Sequence, residues 1–224
     1  MPSLADNLET VRASIARSAQ RSGRNPDEVT LVAVTKGFPI SRIRGAIALG
    51  LRVFGENRVQ EAMPKIDELG TTEASWHLIG HLQSNKARFV EGRFAMVQSI
   101  DSVGIAQALG RRVHAPVDVL VEINVGDEPQ KTGAHASDLP SIAGAIRSSG
   151  NLRLQGLMTI APLVSDLEQV RPVFRRLRTL RDETSQRLGV PLPVLSMGMT
   201  DDFTVAVEEG ATMLRLGRAL FGPR

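Results

Sequence analysis

The chain has 224 residues, 27 basic against 24 acidic, with a formal net charge of +3, no cysteine and no tyrosine. The missing cysteines exclude a disulfide framework, thiolate metal sites and thiol catalysis. Charges of both signs are interspersed and only 4% of residues are aromatic, so the surface reads as mixed and solvated, with no nucleic-acid partner expected. One domain over residues 1–224 suits this length. No apolar run reaches the length of a membrane span, and MPSLADNLETVR lacks the basic start and apolar core of a signal peptide. A cytoplasmic protein without a membrane partner is the expectation.

Residues 3–22 open on a capping serine, Ser3, and carry Leu4, Leu8, Val11, Ile15 and Ala19 at spacings of three and four, one apolar face of a helix. Leu31 to Val34 is an apolar run without alternation, the pattern of a parallel strand buried on both faces, and Gly37 and Pro39 stop it just after Lys36. ISRIRGAIALG has helical spacing and closes on Gly50. RVFGEN then reads as a short strand and RVQEAMPKIDELG as a helix interrupted by Pro64. WHLIGHL is a strand and SNKARFVEG a short helix. FAMVQSID and VDVLVEINV are strands flanking a helix around SVGIAQALGRR, and DLPSIAGAIRSSG is a further helix. LRLQGLMTIAP is a strand, DLEQVRPVFRRLRTLRDETSQRLG the longest helix, PVLSMGM a strand, DDFTVAVEEG a helix and TMLRLGRALFG the last strand. This alternation predicts an α/β fold, a single (β/α)8 TIM barrel with an extra N-terminal helix. A doubly wound sheet is the competitor, but VTKGFP has one glycine and makes no dinucleotide loop.

In a barrel the site lies at the C-terminal ends of the strands. Those ends fall at Lys36, at Glu56 and Asn57, near Gln83, Ser84 and Asn85, at Asn124, at Met158 and Thr159, at Ser196 to Thr200, and at Arg215 to Arg218. The last two units suit a phosphate, which barrels hold with the loops after strands seven and eight. LSMGMTDD offers the Ser196 hydroxyl, Gly198 for close approach and Thr200 as a helix N-cap, while RLGRALFG offers Gly217 and the amide that follows. A strand-end lysine of lowered pKa would form a Schiff base. Lysine plus phosphate describes either a pyridoxal phosphate protein or an imine-forming aldolase of sugar phosphates, for which Glu56 is the obvious acid–base candidate. Arg215 beside a pyridine nitrogen would keep it unprotonated and weaken the ring as an electron sink. His77 and His81 resemble a zinc pair, but on a strand they stand roughly 13 Å apart at ~3.3 Å per residue, so no metal is expected.

The segments LVAVTKGFP, VFGENRVQEAMPKI, WHLIGHLQSNKAR, INVGDEPQKTG, GLMTIAP and LSMGMTDDFTVAVEEGATMLRLGRALFG span about residues 30–222. On these the chain resembles the YggS/PROSC family of pyridoxal phosphate homeostasis proteins, which look like the barrel half of alanine racemase, a fold-type III cofactor-binding barrel. The resemblance implies pyridoxal 5′-phosphate as cofactor, held as a Schiff base on Lys36. It implies Ser196, Thr200 and the amides of Gly217 and Arg218 around the phosphate, Arg215 at the pyridine nitrogen, and Asn57 in the pocket wall. Arg218 stands where that family usually has a small hydroxyl residue, and His81 replaces a common proline. The chain stops at FGPR, short of the basic tail many relatives carry.

Two-base racemisation, as the resemblance describes it for alanine racemase, needs a lysine and a tyrosine, the latter from a second domain. This chain contains no tyrosine, and a lone barrel is expected. The expected role is therefore to bind, buffer and deliver pyridoxal phosphate within the cell without catalysis, with recipient apo-enzymes as further partners and a monomeric state. The alternative is a pyridoxal phosphate-dependent amino-acid racemase or related enzyme with an unrecognised second base.

Overall fold

The computed structural model describes residues 2–126, 132–164 and 166–223; residues 127–131 of the INVGDEPQKTG segment lie outside that range. Eight parallel strands close into a barrel in chain order: β1 Thr30–Val34, β2 Val53–Glu56, β3 Ser75–Leu78, β4 Met96–Ile100, β5 Val117–Glu122, β6 Leu152–Met158, β7 Val194–Ser196 and β8 Met213–Leu216. Closure is made by β8 pairing with β1, with Val32 opposite Arg215 and Ala33 opposite Leu216. The α-helices among the described residues are α1 Leu4–Arg21, α2 Ile40–Ala48, α3 Val59–Leu69, α4 Val103–Gly110, α5 Leu139–Ser148, α6 Arg171–Leu188, α7 Phe203–Glu208 and α8 Arg218–Phe221. The barrel and the extra N-terminal helix expected from the sequence are both present.

The strands are largely apolar because each faces two hydrophobic compartments. Along a strand, side chains alternate between faces. Val32, Met96, Leu120, Met158 and Met213 therefore fill the barrel interior, while Ala33, Phe54, Val97, Val121 and Leu214 join the larger core between strands and helices. In β8 the same period sends Met213 and Arg215 inward, which settles the direction of Arg215. Lys36 continues the inward series of Val32 and Val34 beyond the end of β1.

Helix α1 starts in a capping box: the Ser3 hydroxyl accepts from the Asp6 amide (3.2 Å) and the Asp6 carboxylate accepts from the Ser3 amide (2.8 Å). It buries Leu8, Val11, Ile15 and Ala19 and packs against α7 and α8, where Asn7 Nδ2 donates to the Leu220 carbonyl (2.9 Å). Helices α6 and α7 are locked by charge. Glu209 accepts from Arg171 and Arg175 (both 3.0 Å), and Glu208 accepts from Arg171 (2.8 Å).

Boundaries differ from expectation at several elements. α3 runs through Pro64 without a break. The N–H that proline lacks would have bonded the carbonyl of Gln60, and both residues are exposed, so water can serve that acceptor. The long helix begins later, at Arg171, after a 3₁₀ turn Leu167–Val170, because Pro172 suits a first turn and not an interior. The last strand ends at Leu216, and Gly217 caps α8. Thr200 is not the N-cap of α7; that position is Asp202, and the Thr200 hydroxyl instead accepts from the Ala219 amide (3.2 Å), tying the β7–α7 loop to α8.

Candidate functional site

At the C-terminal end of the barrel lies a cavity of about 460 Å³. Val34, Lys36 and Phe38 enter it from β1, Asn57 from β2 and Ile79 from β3. Thr200 and Asp201 enter from the loop after β7, and Arg215, Gly217 and Arg218 from β8 and the start of α8. Ile160 and Leu163, on the loop after β6, rim the mouth, Leu163 being 86% exposed. A larger groove of about 660 Å³ lies alongside and shares Asn57, but its basic residues Arg58, His81 and Lys86 are surface groups and neither Lys36 nor Arg215 reaches it.

Lys36 sits in the turn that leaves β1, half-buried, and the turn is held from behind. Thr35 is fully buried and donates through its hydroxyl to Glu56 (2.5 Å). Lys65 of α3 donates to both the Thr35 carbonyl (2.8 Å) and the Glu56 carboxylate (2.7 Å). The residues next in the chain after Thr35 and Glu56 are Lys36 and Asn57, so this buried clamp sets the positions of two cavity residues. It also turns Glu56 into the layer between strands and helices. Glu56 does not line the cavity, and the acid–base role it would have in an aldolase is corrected by that orientation.

Arg215 is 4% exposed and forms the cavity floor. Its Nη1 donates to Ser196 Oγ and its Nη2 to the Thr159 carbonyl, each at 2.7 Å. Burial draws its pKa down to about 10, against the pull of Glu122 and Asp202, and it remains protonated at neutral pH. Ser196 in turn donates to Gln98 Oε1 (2.6 Å). Gln98 Nε2 faces His77 Nδ1 at 2.9 Å; because burial pushes His77 down to about 4, the ring is neutral and accepts there. Glu122 accepts from Thr132 (2.6 Å), and burial raises its pKa.

Of the expected site residues, Lys36, Asn57, Thr200, Arg215, Gly217 and Arg218 converge on one cavity. Ser196 does not. Its hydroxyl is completely buried beneath the cavity, taken up by Arg215 and Gln98. Arg218 lines the cavity and its side chain donates to Asp201 (2.5 Å). Among the described residues no side chain or carbonyl accepts from the amides of Gly217 and Arg218. The β7–α7 loop is closely built: a Cβ on Gly198 (φ 95°) would come within 2.6 Å of Ala206 and 2.9 Å of Leu214, and the Met199 amide donates to Asp202 (2.5 Å).

Gln98, His77 and Lys65 had no functional reading from the sequence beyond the metal pair discarded for His77. A signal existed for Gln98, a polar residue two positions after Met96 in an otherwise apolar strand, hence on the same inward face.

The alanine racemase N-terminal domain family matches residues 7–224. A pyridoxal phosphate homeostasis protein of Pseudomonas aeruginosa is 43% identical, the alignment covering 100% of this chain and 97% of that relative. Among solved structures, PipY of Synechococcus elongatus with PLP bound matches at a TM-score of 0.81 and 36% identity, over 93% of this chain and 100% of that one. An alanine racemase of Corynebacterium glutamicum shares the fold at a TM-score of 0.71 and 17% identity, the match covering 97% of this chain and 62% of the racemase. The chain belongs to the alanine racemase N-terminal domain family and, within it, to the pyridoxal phosphate homeostasis proteins.

Proposed function

We propose that this protein binds pyridoxal 5′-phosphate at Lys36 and holds it reversibly, for buffering and delivery, without turning over an amino acid. The observation that carries the reading is the convergence of Lys36, Arg215, Thr200 and Gly217 on one cavity of about 460 Å³. The residues fit the group. Pyridoxal phosphate supplies an aldehyde that condenses reversibly with a primary amine, and Lys36 presents one. Arg215, fixed and charged, suits the ring nitrogen as a donor. Val34 and Ile79 offer apolar walls, and the Thr200 hydroxyl with the amides of Gly217 and Arg218 suits a phosphate. PipY, whose structure contains PLP, matches this chain over nearly its whole length.

Two features favour carriage over catalysis. Arg215 donates to its partners and accepts nothing, so a ring nitrogen beside it stays unprotonated and the ring is a poor sink for electrons. The titratable side chains lining the described cavity are Lys36, Arg215, Asp201 and Arg218, and the last two pair with each other at its rim. A monomer in the cytoplasm is part of the proposal.

The test is the visible absorbance of purified protein, wild type and Lys36→Ala, titrated with pyridoxal phosphate and followed by chiral analysis of added amino acids. The expected result is a band in the wild type that the variant lacks, with no racemisation. A band without Lys36 removes the tether from the reading, and turnover at an enzymatic rate makes the protein an enzyme.

A further inference from the structure

Ser196 Oγ is fully buried and has one proton to give. That proton goes to Gln98 Oε1 (2.6 Å), which leaves the oxygen to accept from Arg215 Nη1 (2.7 Å). Gln98 is fixed at its other end as well, its Nε2 facing His77 Nδ1 (2.9 Å) and Met213 Sδ (3.1 Å). The chain Arg215–Ser196–Gln98–His77 therefore crosses the barrel from β8 through β7 and β4 to β3, buried along its length. With Nη2 tied to the Thr159 carbonyl (2.7 Å), both terminal nitrogens of Arg215 are held from below. A guanidinium has five N–H donors, and a grip on two of them from one side fixes the plane it presents to the cavity.

We propose that Ser196 and Gln98 are positioning residues for Arg215, serving the ring-nitrogen end of the bound cofactor and not its phosphate. The inference rests on the binding of pyridoxal phosphate proposed above. The hydrogen bonds run one way: Arg215 donates to Ser196, Ser196 to Gln98, and Gln98 to His77. Removing the serine hydroxyl leaves a buried guanidinium N–H and the Gln98 carbonyl without partners and lets the arginine swing, with no group lost from the cavity wall itself.

Two ligands read the two ends separately: pyridoxal phosphate, and pyridoxal, which has the ring and aldehyde but no phosphate. Dissociation constants are measured for wild type, Ser196→Ala and Gln98→Leu, as ratios of variant to wild type. Both variants are expected to weaken both ligands in parallel, by about fivefold for one hydrogen bond. Ser196→Thr, which keeps the hydroxyl, restores affinity, and Ser196→Ala has no further effect in an Arg215→Gln background. Loss for pyridoxal phosphate with pyridoxal unchanged would return Ser196 to the phosphate and overturn the proposal. Unchanged affinity for both ligands, or a full Ser196→Ala effect without Arg215, overturns it too. These failures occur on a wild type that binds; a wild type that binds neither ligand instead refutes the functional reading, and the inference with it.

Discussion

His77 shows how a single residue in the barrel interior couples folding stability to pH. Burial lowers its pKa to about 4 from an ordinary 6.5, so the folded protein keeps the ring neutral while the unfolded chain protonates it first. Its contribution to stability is whole above pH 6.5 and falls as pH drops toward 4, by about 3 kcal/mol in all. Glu122 and Asp202, whose pKa values burial raises, bind protons more readily when folded and act in the opposite direction. The comparison that isolates His77 is therefore His77→Gln against wild type, by urea denaturation across that range. The variant is expected to lose less stability than wild type between neutral pH and pH 5. Equal losses in the two proteins would mean that the native state accepts the charged imidazole.

At the same scale, legibility followed position along a strand. Lys36, Asn57 and Arg218 could be placed because each lies one or two residues past the end of a strand, and in a barrel that is where the site is. The depth of Ser196 was not legible, because a hydroxyl at a strand end reads the same whether it faces the cavity or the barrel interior. Both placements lie on the inward face and differ only in depth along the barrel, and only the partners, Gln98 and Arg215 from other strands, reveal which holds.

Among the elements, α3 carries the least expected residue. Its apolar face includes Val59, Ala62 and Ile66, and Lys65 is buried with them, 9% exposed, against a fully buried Glu56. Among the described residues the second carboxylate oxygen of Glu56 has no hydrogen-bond partner, so the buried pair is incompletely satisfied. Lys65→Met should cost about 3–5 kcal/mol, because it strands a buried carboxylate and leaves the Thr35 carbonyl without its donor. Adding Glu56→Leu should recover much of that loss by removing the orphaned charge. Urea midpoints of the three proteins decide this, and a double variant no more stable than Lys65→Met would show that the carboxylate is not the source of the cost. The sequence could not disclose the clamp, because helical spacing marks a lysine beside an apolar face as its solvated border. The same local logic interrupted α3 at Pro64 and missed that both the proline and the carbonyl left without its donor face water. α1, by contrast, was readable to its ends, because capping box and apolar stripe are contained within eighteen residues.

At the scale of the whole molecule, the proposed covalent anchor follows β1 and the proposed phosphate wall follows β7 and β8, and these should be separable in a melting experiment. A ligand at one hundred times its dissociation constant stabilises the folded state by about 2.7 kcal/mol. For a chain of 224 residues that amounts to roughly 5–10 °C in Tm. Wild type with excess pyridoxal phosphate should show a shift of this size, and Lys36→Ala a smaller one, since only the non-covalent contacts remain. Inorganic phosphate should raise Tm slightly, to the same degree in wild type and Lys36→Ala, because it reports the wall of Thr200, Gly217 and Arg218 and not the anchor. Thr200→Val should abolish that increment while keeping part of the pyridoxal phosphate shift. A phosphate effect that disappeared with Lys36 would place the anion at the lysine amine. The open amides of Gly217 and Arg218 would then have no part in holding it, and the anchor alone would account for binding.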